Sequence, residues 1–247
     1  MGNIYEELEE MVVKLAKLTS IKLTTKVKLV RLCSEVLKMY LRKKLFIFDL
    51  GNVFIRTTYN KPFEVWGCYS GATAAELSKR FQFNEAFQQY ERGEISSSQY
   101  FGYFKDLMRI DINEAQIKEG WNAIFDGIHE SVVESINRIK KVSSVVALSN
   151  TNSAHVDRAV SLYSENFQLF DELYFSCNIG MRKPEERIYR FVLERSGMAV
   201  NEVIFFDDDL RNVIGAREIG IESVHVVDET TVKSWVENYL ERVSSFS

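Results

Sequence analysis

Cysteine is scarce in this chain of 247 residues, and its three copies lie far apart. Cys33, Cys68 and Cys177 form no Cys-x-x-Cys pair, so the sequence indicates neither a disulfide framework nor a zinc site. Proteins with few, unpaired cysteines suit a reducing compartment. We therefore expect this protein in the cytoplasm.

The chain also has no strong excess of charge and no long apolar run, and we expect no leader sequence. Its net charge of −4 does not favour binding to nucleic acid. No apolar run approaches the roughly 20 residues that span a membrane. The start, MGNIYE, has no apolar secretion core and no Ser or Thr at position six for a myristoylation signal. A globular protein of one large domain or two smaller ones is the expectation.

The first 43 residues are predicted to form an N-terminal extension of two helices. Apolar residues recur there at spacings of three and four, first in Ile4, Leu8, Met11, Leu15 and Leu18, then in Leu29, Cys33, Val36, Leu37 and Tyr40. This pattern favours a helical hairpin that packs on the main body or on a second subunit, which would make a homodimer. Residues 22–44 contain an excess of basic residues, so a surface that binds acidic lipid or a partner is the alternative.

From residue 44 onward, apolar strands alternate with helices, apart from an aromatic-rich helical block. The alternation predicts an α/β protein with a doubly wound parallel sheet. We assign residues 44–59 and 131–247 to this core and residues 60–130 to an inserted helical cap. Within the cap, Gly93 is predicted to end one helix and Ser96 to begin the next.

Polar residues stand directly after three of the predicted strands. Asp49 follows FIF, Ser149 and Asn150 end VVALSN, and residues 207–209 are three aspartates after VIFF. In open α/β sheets, ligands collect at the carboxyl ends of the strands. These residues, distant along the chain, are therefore predicted to form one site.

Each group suits a phosphate or a cation. A buried Asp49 could attack phosphorus through an aspartyl phosphate, although it could also cap a turn that Gly51 and Asn52 permit. Ser149 and Asn150 suit an anion at a helix N-terminus, although both are ordinary N-cap residues. His155 is expected on the surface of the helix that follows.

Lys183 precedes Pro184, which is predicted at the first position of a helix. A cation at that end opposes the helix dipole, so Lys183 is expected to face an anion. The three adjacent aspartates at 207–209 repel one another, and Mg²⁺ would relieve the repulsion. The alternative is a solvated acidic turn in which Asp209 caps the next helix.

In combination, these motifs resemble the haloacid dehalogenase superfamily of phosphatases and related hydrolases. The resemblance covers residues 44–230 and is carried by FDLGNV, FQQYERGEIS, LSNTNSAH, GMRKPEERIYR and FFDDDLRNVIGA. Within the superfamily, the motifs look like the bacterial branch of α-D-glucose-1-phosphate phosphatases. The resemblance implies a Mg²⁺-dependent phosphomonoester hydrolase that acts on a small phosphorylated metabolite.

The resemblance also implies roles for individual residues. The implied metal ligands are Asp49, the backbone carbonyl of Gly51, Asp208 and, directly or through water, Asp207. Asp49 is the implied nucleophile, Ser149 and Asn150 hold the phosphoryl group, Lys183 neutralises charge, and Asn212 braces the acidic loop. The cap closes over the site, where Glu91 and Arg92 would face the substrate, unless they are simply a polar helix end.

Gly51 departs from the family pattern, because most of the superfamily's phosphatases carry a general-acid Asp there. An anomeric sugar oxygen is a better leaving group than an ordinary alcohol, so we associate Gly51 with a sugar 1-phosphate substrate. A catalytically weak member that binds a ligand or a protein is the alternative. A dehalogenase on the same fold needs no metal, so the acidic run disfavours it.

Overall fold

The computed structural model describes residues 44–244. The predicted N-terminal hairpin, and any dimer through it, lie outside these residues. Lys44–Val236 forms one compact unit, and the chain beyond it belongs to a second unit. Within the described part, no helix is both long and apolar enough to cross a membrane.

Seven strands and eleven helices make up the described chain. The strands are β1 (Leu45–Phe48), β2 (Ile55–Thr57), β3 (Phe125–Ile128), β4 (Ser144–Ser149), β5 (Glu172–Phe175), β6 (Val203–Asp207) and β7 (Glu222–His225). The helices are α1 (Asn60–Ser70), α2 (Ala74–Arg80), α3 (Glu85–Glu91), α4 (Ser97–Met108), α5 (Glu114–Asn122), α6 (Glu130–Ile139), α7 (Ser153–Phe167), α8 (Ser176–Ile179), α9 (Glu186–Ser196), α10 (Leu210–Glu218) and α11 (Glu229–Ser244). A short 3₁₀ helix spans Val200–Glu202.

Five of the strands form a parallel sheet in the order β5-β4-β1-β6-β7. This confirms the predicted doubly wound fold, with β1 at the centre. On one face, Phe48 stacks on Phe206 at 4.8 Å and Trp235 meets the edge of Phe46 at 5.9 Å. On the other face, Ile47 joins a buried cluster with α9. Burial on both faces explains why the three central strands, β4, β1 and β6, read as nearly unbroken apolar runs.

Helices α1–α5 form an insertion between β2 and β3, which pair with each other in antiparallel fashion. We call residues 60–122 the helical insertion. Its aromatic core is separate from that of the sheet, and Trp66 lies 4.6 Å from Phe104 within it. Gly93 and Ser96 lie as predicted, because Gly93 has a φ of +68° and Ser96 caps α4 by accepting from the Gln99 N–H.

Two helices begin a few residues after the motifs that were expected at their N-termini, although the first lies where NSAHVDRAVSLYS predicted it. α7 begins at Ser153, because Asn152 rather than Asn150 accepts the capping bond, from the His155 N–H at 3.1 Å. α9 begins at Glu186, so Pro184 lies before the helix and not in its first turn. In both places a loop of polar residues separates the preceding chain from the helix, and that loop supplies site residues.

Candidate active site

Asp49 lies one residue past β1, at the carboxyl edge of the sheet. Its backbone N–H continues the ladder by donating to the Phe206 carbonyl at 2.9 Å. The Leu50 N–H donates to Asp49 Oδ1 at 2.7 Å and orients the carboxylate. Only 8% of the residue is exposed. A carboxyl group is thus held at the end of a fully buried strand.

Lys183 is fully buried beside it, with an exposed fraction of 0%. Its Nζ lies 2.8 Å from Asp49 Oδ1 and 2.6 Å from Asp207 Oδ2, and it donates to the Leu148 carbonyl at 2.8 Å. The anions that Lys183 was expected to face therefore include these two carboxylates. Three acceptors around one ammonium satisfy all three of its N–H donors.

Asn150 holds the Lys183 loop in place. Its Nδ2 donates to the Lys183 carbonyl and its Oδ1 accepts from the Lys183 N–H, both at 2.8 Å. The side-chain amide is therefore bonded to the loop through Oδ1 and one N–H of Nδ2, and the second N–H of Nδ2 and the backbone N–H remain as donors for a phosphate. Ser149, at the end of β4, is buried and lines the same site.

The three aspartates of the acidic loop point to three different partners. Asp207 accepts from Asn212 Nδ2 at 3.0 and 3.2 Å, the geometry of a bracing residue. Asp208 Oδ2 accepts from Asn52 Nδ2 at 3.0 Å. Asp209 caps α10 and forms an ion pair with Arg211 at 2.6 Å. Asp209 therefore matches the alternative of an N-cap residue, whereas Asp207 and Asp208 turn towards Asp49.

Asn52 was considered only as a turn residue, and its contact with Asp208 was missed. Its φ of +54° lies in the left-handed region, which asparagine adopts more readily than most residues. Thr57 Oγ1 donates to Asn52 Oδ1 at 2.5 Å and fixes the amide so that Nδ2 faces Asp208. The turn after β1 is thereby tied to the loop after β6.

The charges at this site are unbalanced. Carboxylate oxygens of Asp49, Asp207 and Asp208 lie within 4.8 Å of one another. Burial raises the pKa of Asp49 well above its usual range, against the pull of the Lys183 ammonium, and burial also raises the pKa of Asp208. For Lys183, burial alone would lower the pKa, but the two carboxylates outweigh it and raise the pKa.

A divalent cation fits this donor set. Three ionised carboxylates with one ammonium leave two negative charges, which one such cation would balance. Hard cations such as Mg²⁺ take oxygen ligands, and carboxylates are the usual ones. The Gly51 carbonyl, the other ligand that the resemblance implies, belongs to a residue that lines the same cavity as Asp49 and Asp208.

A cavity of about 590 Å³ opens over this site. Asp49, Gly51, Ser149, Asn150 and Asp208 contribute to its lining, and the helical insertion contributes much of the rest. A volume of this size accommodates a small-molecule ligand. The structure therefore brings the predicted residues of three separate loops to one cavity, and Lys183 lies buried behind Asp49.

Glu91 and Arg92, the two residues of the insertion that were expected to face the substrate, differ in their placement. Glu91 lines the cavity and forms an ion pair with Arg182, at 2.8 Å between Oε2 and Nε. Burial raises the pKa of Glu91, and Arg182 opposes that rise. Arg92 lies outside the lining, because its guanidinium is taken up by Glu85, Glu94 and Glu185. The expectation that Arg92 faces a substrate is thus not supported.

His155 was expected on a helix surface, but the structure leaves it half-buried beside the cavity. The ring stacks on Trp121 at 5.4 Å, and Nε2 lies 2.9 Å from the Trp121 carbonyl. Burial lowers its pKa to about 4, so the ring is neutral at neutral pH. Since a carbonyl only accepts, Nε2 carries the proton and Nδ1 accepts from Asn152 Nδ2 at 3.2 Å. His155 therefore has no free proton to give and serves to position its neighbours.

The segment after α3 attaches the helical insertion to the core. Ser176 Oγ donates to the Glu91 carbonyl at 2.6 Å, and Gly93 packs against the backbone of Cys177. A Cβ at Gly93 would lie 2.2 Å from the Cys177 carbonyl oxygen. Both this close approach and the left-handed φ therefore require glycine at this position.

We expect Gly93→Ala to lower the free energy of unfolding by at least about 3 kcal/mol, from left-handed strain plus the clash. Gly71→Ala is the matched control, because Gly71 has a φ of +75° but no atom within 4 Å of a Cβ. It should cost only about 1–2 kcal/mol. Urea denaturation of both variants measures the difference. Equal losses would show that the contact with Cys177 is not tight.

Comparisons with known proteins identify a family for this chain. A family profile described as haloacid dehalogenase-like hydrolase matches residues 43–220. D-ribitol-5-phosphate phosphatase from Bacteroides thetaiotaomicron is 26% identical over 185 residues, which are 73% of this chain and 90% of that protein. A sesquiterpene phosphatase from Aspergillus oryzae is 28% identical over 147 residues, 59% of this chain and 74% of that one.

A solved structure shares the fold as well. It is a haloacid dehalogenase family enzyme from Bacteroides thetaiotaomicron, crystallised with magnesium and inorganic phosphate. It superposes with a TM-score of 0.64 at 26% identity and covers 74% of this chain and 93% of its own.

Proposed function

The chain belongs to the haloacid dehalogenase-like hydrolases, and from this premise we propose that it is a Mg²⁺-dependent phosphomonoesterase with Asp49 as nucleophile. The observation that carries the proposal is the buried contact of Lys183 with Asp49 and Asp207, beside Asp208. A purely structural role would not need a third carboxylate in that cluster, because close like charges disfavour ionisation.

The proposed reaction has two steps. A carboxylate oxygen of Asp49 attacks phosphorus, the bond from phosphorus to the ester oxygen breaks, and the alcohol leaves with a proton taken from solvent. Water then attacks the aspartyl phosphate, which releases inorganic phosphate and restores Asp49. The net change is ester plus water to alcohol plus phosphate, and the covalent intermediate divides one difficult hydrolysis into two easier steps.

Asp49, Asp208, the Gly51 carbonyl and Asp207 would hold the metal. When bound, Mg²⁺ would neutralise negative charge on the phosphoryl group. The crystallised relative with magnesium and inorganic phosphate supports this choice of ion.

The remaining residues position the reacting groups and neutralise negative charge at the phosphoryl group. The Lys183 ammonium, fixed by three acceptors, keeps Asp49 oriented and offsets negative charge near the phosphoryl oxygens. The Ser149 hydroxyl and the backbone N–H groups after β4 are the proposed phosphate donors. Asn212 holds Asp207 in position for Lys183.

The leaving group receives no acid from Gly51. A Cβ at Gly51 would meet no atom within 4 Å, so packing does not exclude a carboxylate there. An ester whose oxygen leaves readily is therefore the better substrate. The sequence alone favours a sugar 1-phosphate. Because one relative is named D-ribitol-5-phosphate phosphatase, polyol phosphates should also be among the first compounds tested as substrates.

We expect phosphate release from p-nitrophenyl phosphate to require Mg²⁺ and to stop in EDTA. Asp208→Asn should raise the Mg²⁺ concentration for half-maximal rate by about tenfold or more. Asp209→Asn is the matched control, because Asp209 pairs with Arg211 and asparagine caps a helix equally well. Full activity in EDTA, or the same Mg²⁺ requirement in both variants, would contradict the proposed metal site. Mg²⁺ binding without any turnover would favour the catalytically weak alternative.

A further inference from the structure

The cavity over the carboxylate cluster has two chemically different walls. The wall formed by the strand ends is polar and includes Asp49, Ser149 and Asp208. The wall formed by the helical insertion is aromatic, through Phe63, Trp66, Phe81, Phe83, Phe87 and Trp121. The polar residues that the insertion adds to the lining are Ser78, Gln88 and Glu91.

Most polar atoms of this aromatic wall are already used within the protein. The indole N–H of Trp66 donates to the Ile117 carbonyl at 3.0 Å, and that of Trp121 donates to Asn152 Oδ1 at 3.2 Å. Glu91 is paired with Arg182. The rings therefore present carbon surface to the cavity.

Polar atoms next to this wall on the core side also have hydrogen-bond partners within the protein. His155 contacts the Trp121 carbonyl through one ring nitrogen and Asn152 through the other. The Asn152 amide oxygen also accepts from the His155 N–H. Of the polar side chains that the insertion adds to the lining, Gln88 alone makes no hydrogen bond with the described residues, so most hydroxyl groups of a ligand placed here would compete with bonds that the protein already makes.

A polyol and a hydrocarbon would bind to such a wall with different affinities. Each hydroxyl that leaves water without finding a partner lowers affinity by about tenfold or more. Each buried methylene, by contrast, raises affinity by up to about fourfold. The lining thus discriminates against polar alcohols in favour of apolar ones.

We propose that the substrates of this site are phosphate monoesters of apolar alcohols, whose hydrocarbon part packs against the aromatic wall while the phosphate lies at the carboxylate cluster. This inference rests on the proposed phosphatase function and names its substrate class. It differs from the sugar 1-phosphate that the sequence alone favours. Both classes agree with Gly51 if the ester oxygen is a good leaving group, as a phenolic oxygen is.

A series of 4-alkylphenyl phosphates tests the proposal, because the leaving oxygen stays nearly constant while the apolar part grows. From phenyl phosphate to 4-butylphenyl phosphate, kcat/KM should rise at least tenfold, by up to about fourfold per methylene. Glucose 1-phosphate should be poorer than every member of the series. A flat series alongside clear hydrolysis of phenyl phosphate would overturn the inference, and so would a preference for glucose 1-phosphate.

Binding of alkylphosphonates, which cannot be hydrolysed, separates this inference from the proposed function. Calorimetry should show an affinity that rises with chain length in the presence of Mg²⁺. If it rises while no ester is hydrolysed, the apolar site stands and the phosphatase proposal fails. If it stays flat while esters are hydrolysed, the phosphatase stands and the apolar site fails.

Phe83→Ser gives a second test on a residue whose replacement should not prevent folding. Phe83 is 67% exposed and packs edge-on against Phe81 and Phe87, each at 5.1 Å. The advantage of 4-hexylphenyl over phenyl phosphate should fall about fivefold or more. Val227→Ser, at a residue 69% exposed and outside the lining, is the matched control and should keep that advantage. An unchanged advantage in Phe83→Ser would contradict the assigned wall.

Discussion

Asp49→Asn is expected to abolish phosphate release, with a fall in kcat/KM of at least about 10⁴-fold. The amide cannot attack phosphorus as a carboxylate does, so the covalent route is lost and not merely slowed. At 25 °C, a loss of this size corresponds to about 5.5 kcal/mol of transition-state stabilisation.

The fold should survive this substitution. The Leu50 N–H can still donate to the amide oxygen, and Lys183 keeps Asp207 at 2.6 Å as a charged partner. Thermal unfolding of the variant should therefore stay close to that of the wild type. In acid-quenched mass spectra, a phosphorylated form should appear in the wild type alone.

Residual activity within tenfold of the wild type would remove Asp49 as the nucleophile. A phosphorylated form in the Asp49→Asn variant would have the same consequence. Loss of activity together with loss of the folded state would not test the chemistry, so the unfolding measurement belongs in the same experiment. The Mg²⁺ titration of Asp209→Asn supplies a neutralised aspartate from the same cluster of loops for comparison.

The strand ends were predictable because apolar runs stop abruptly there. The runs before Asp49, Ser149 and Asp207 are buried parallel strands, and parallel strands deliver their carboxyl ends to one edge. No side-chain detail is needed for that step. The family profile confirms the superfamily, whereas the glucose-1-phosphate branch stays a prediction.

The individual contacts of the site were not predictable in the same way. Asn52 meets Asp208 across 156 residues, and Asn150 meets the Lys183 loop across 33. These pairings are set by the tertiary fold, and local sequence contains no periodicity that reports them. A run of three aspartates likewise does not say which side chain turns to Arg211 and which to Asn52.

The sequence likewise did not predict which aromatic residues line the cavity. Spacing predicted helices in the insertion, and most of its aromatic residues do form a core, but six of them also line the cavity, Phe83 and Phe87 included. A helix with aromatic residues on more than one face serves both purposes, and only the arrangement of neighbouring helices decides which rings reach the ligand. The proposed substrate class therefore rests on the structure and not on the spacing of these residues.

Lys183→Met is expected to lower both stability and activity. It leaves Asp49 and Asp207 buried without the cation that both contact, and breaking a buried ion pair costs about 3–5 kcal/mol. Activity should fall about 10³-fold, the usual effect of removing one preorganised charge-stabilising group. Lys61→Met is the matched control, because its ion pair with Asp126 is about half exposed and should contribute less than about 1 kcal/mol.

The double variant Lys183→Met with Asp207→Asn separates the two effects. Neutralising Asp207 removes one of the two unpaired charges, so part of the lost stability should return in urea denaturation. Asparagine can still accept from the Asp209 N–H and from Asn212, which keeps the acidic loop in place. Activity should stay low, because no ammonium is left beside Asp49. If the double variant regained activity with stability, Lys183 would serve only to neutralise the buried carboxylates, and its proposed part in catalysis would fail.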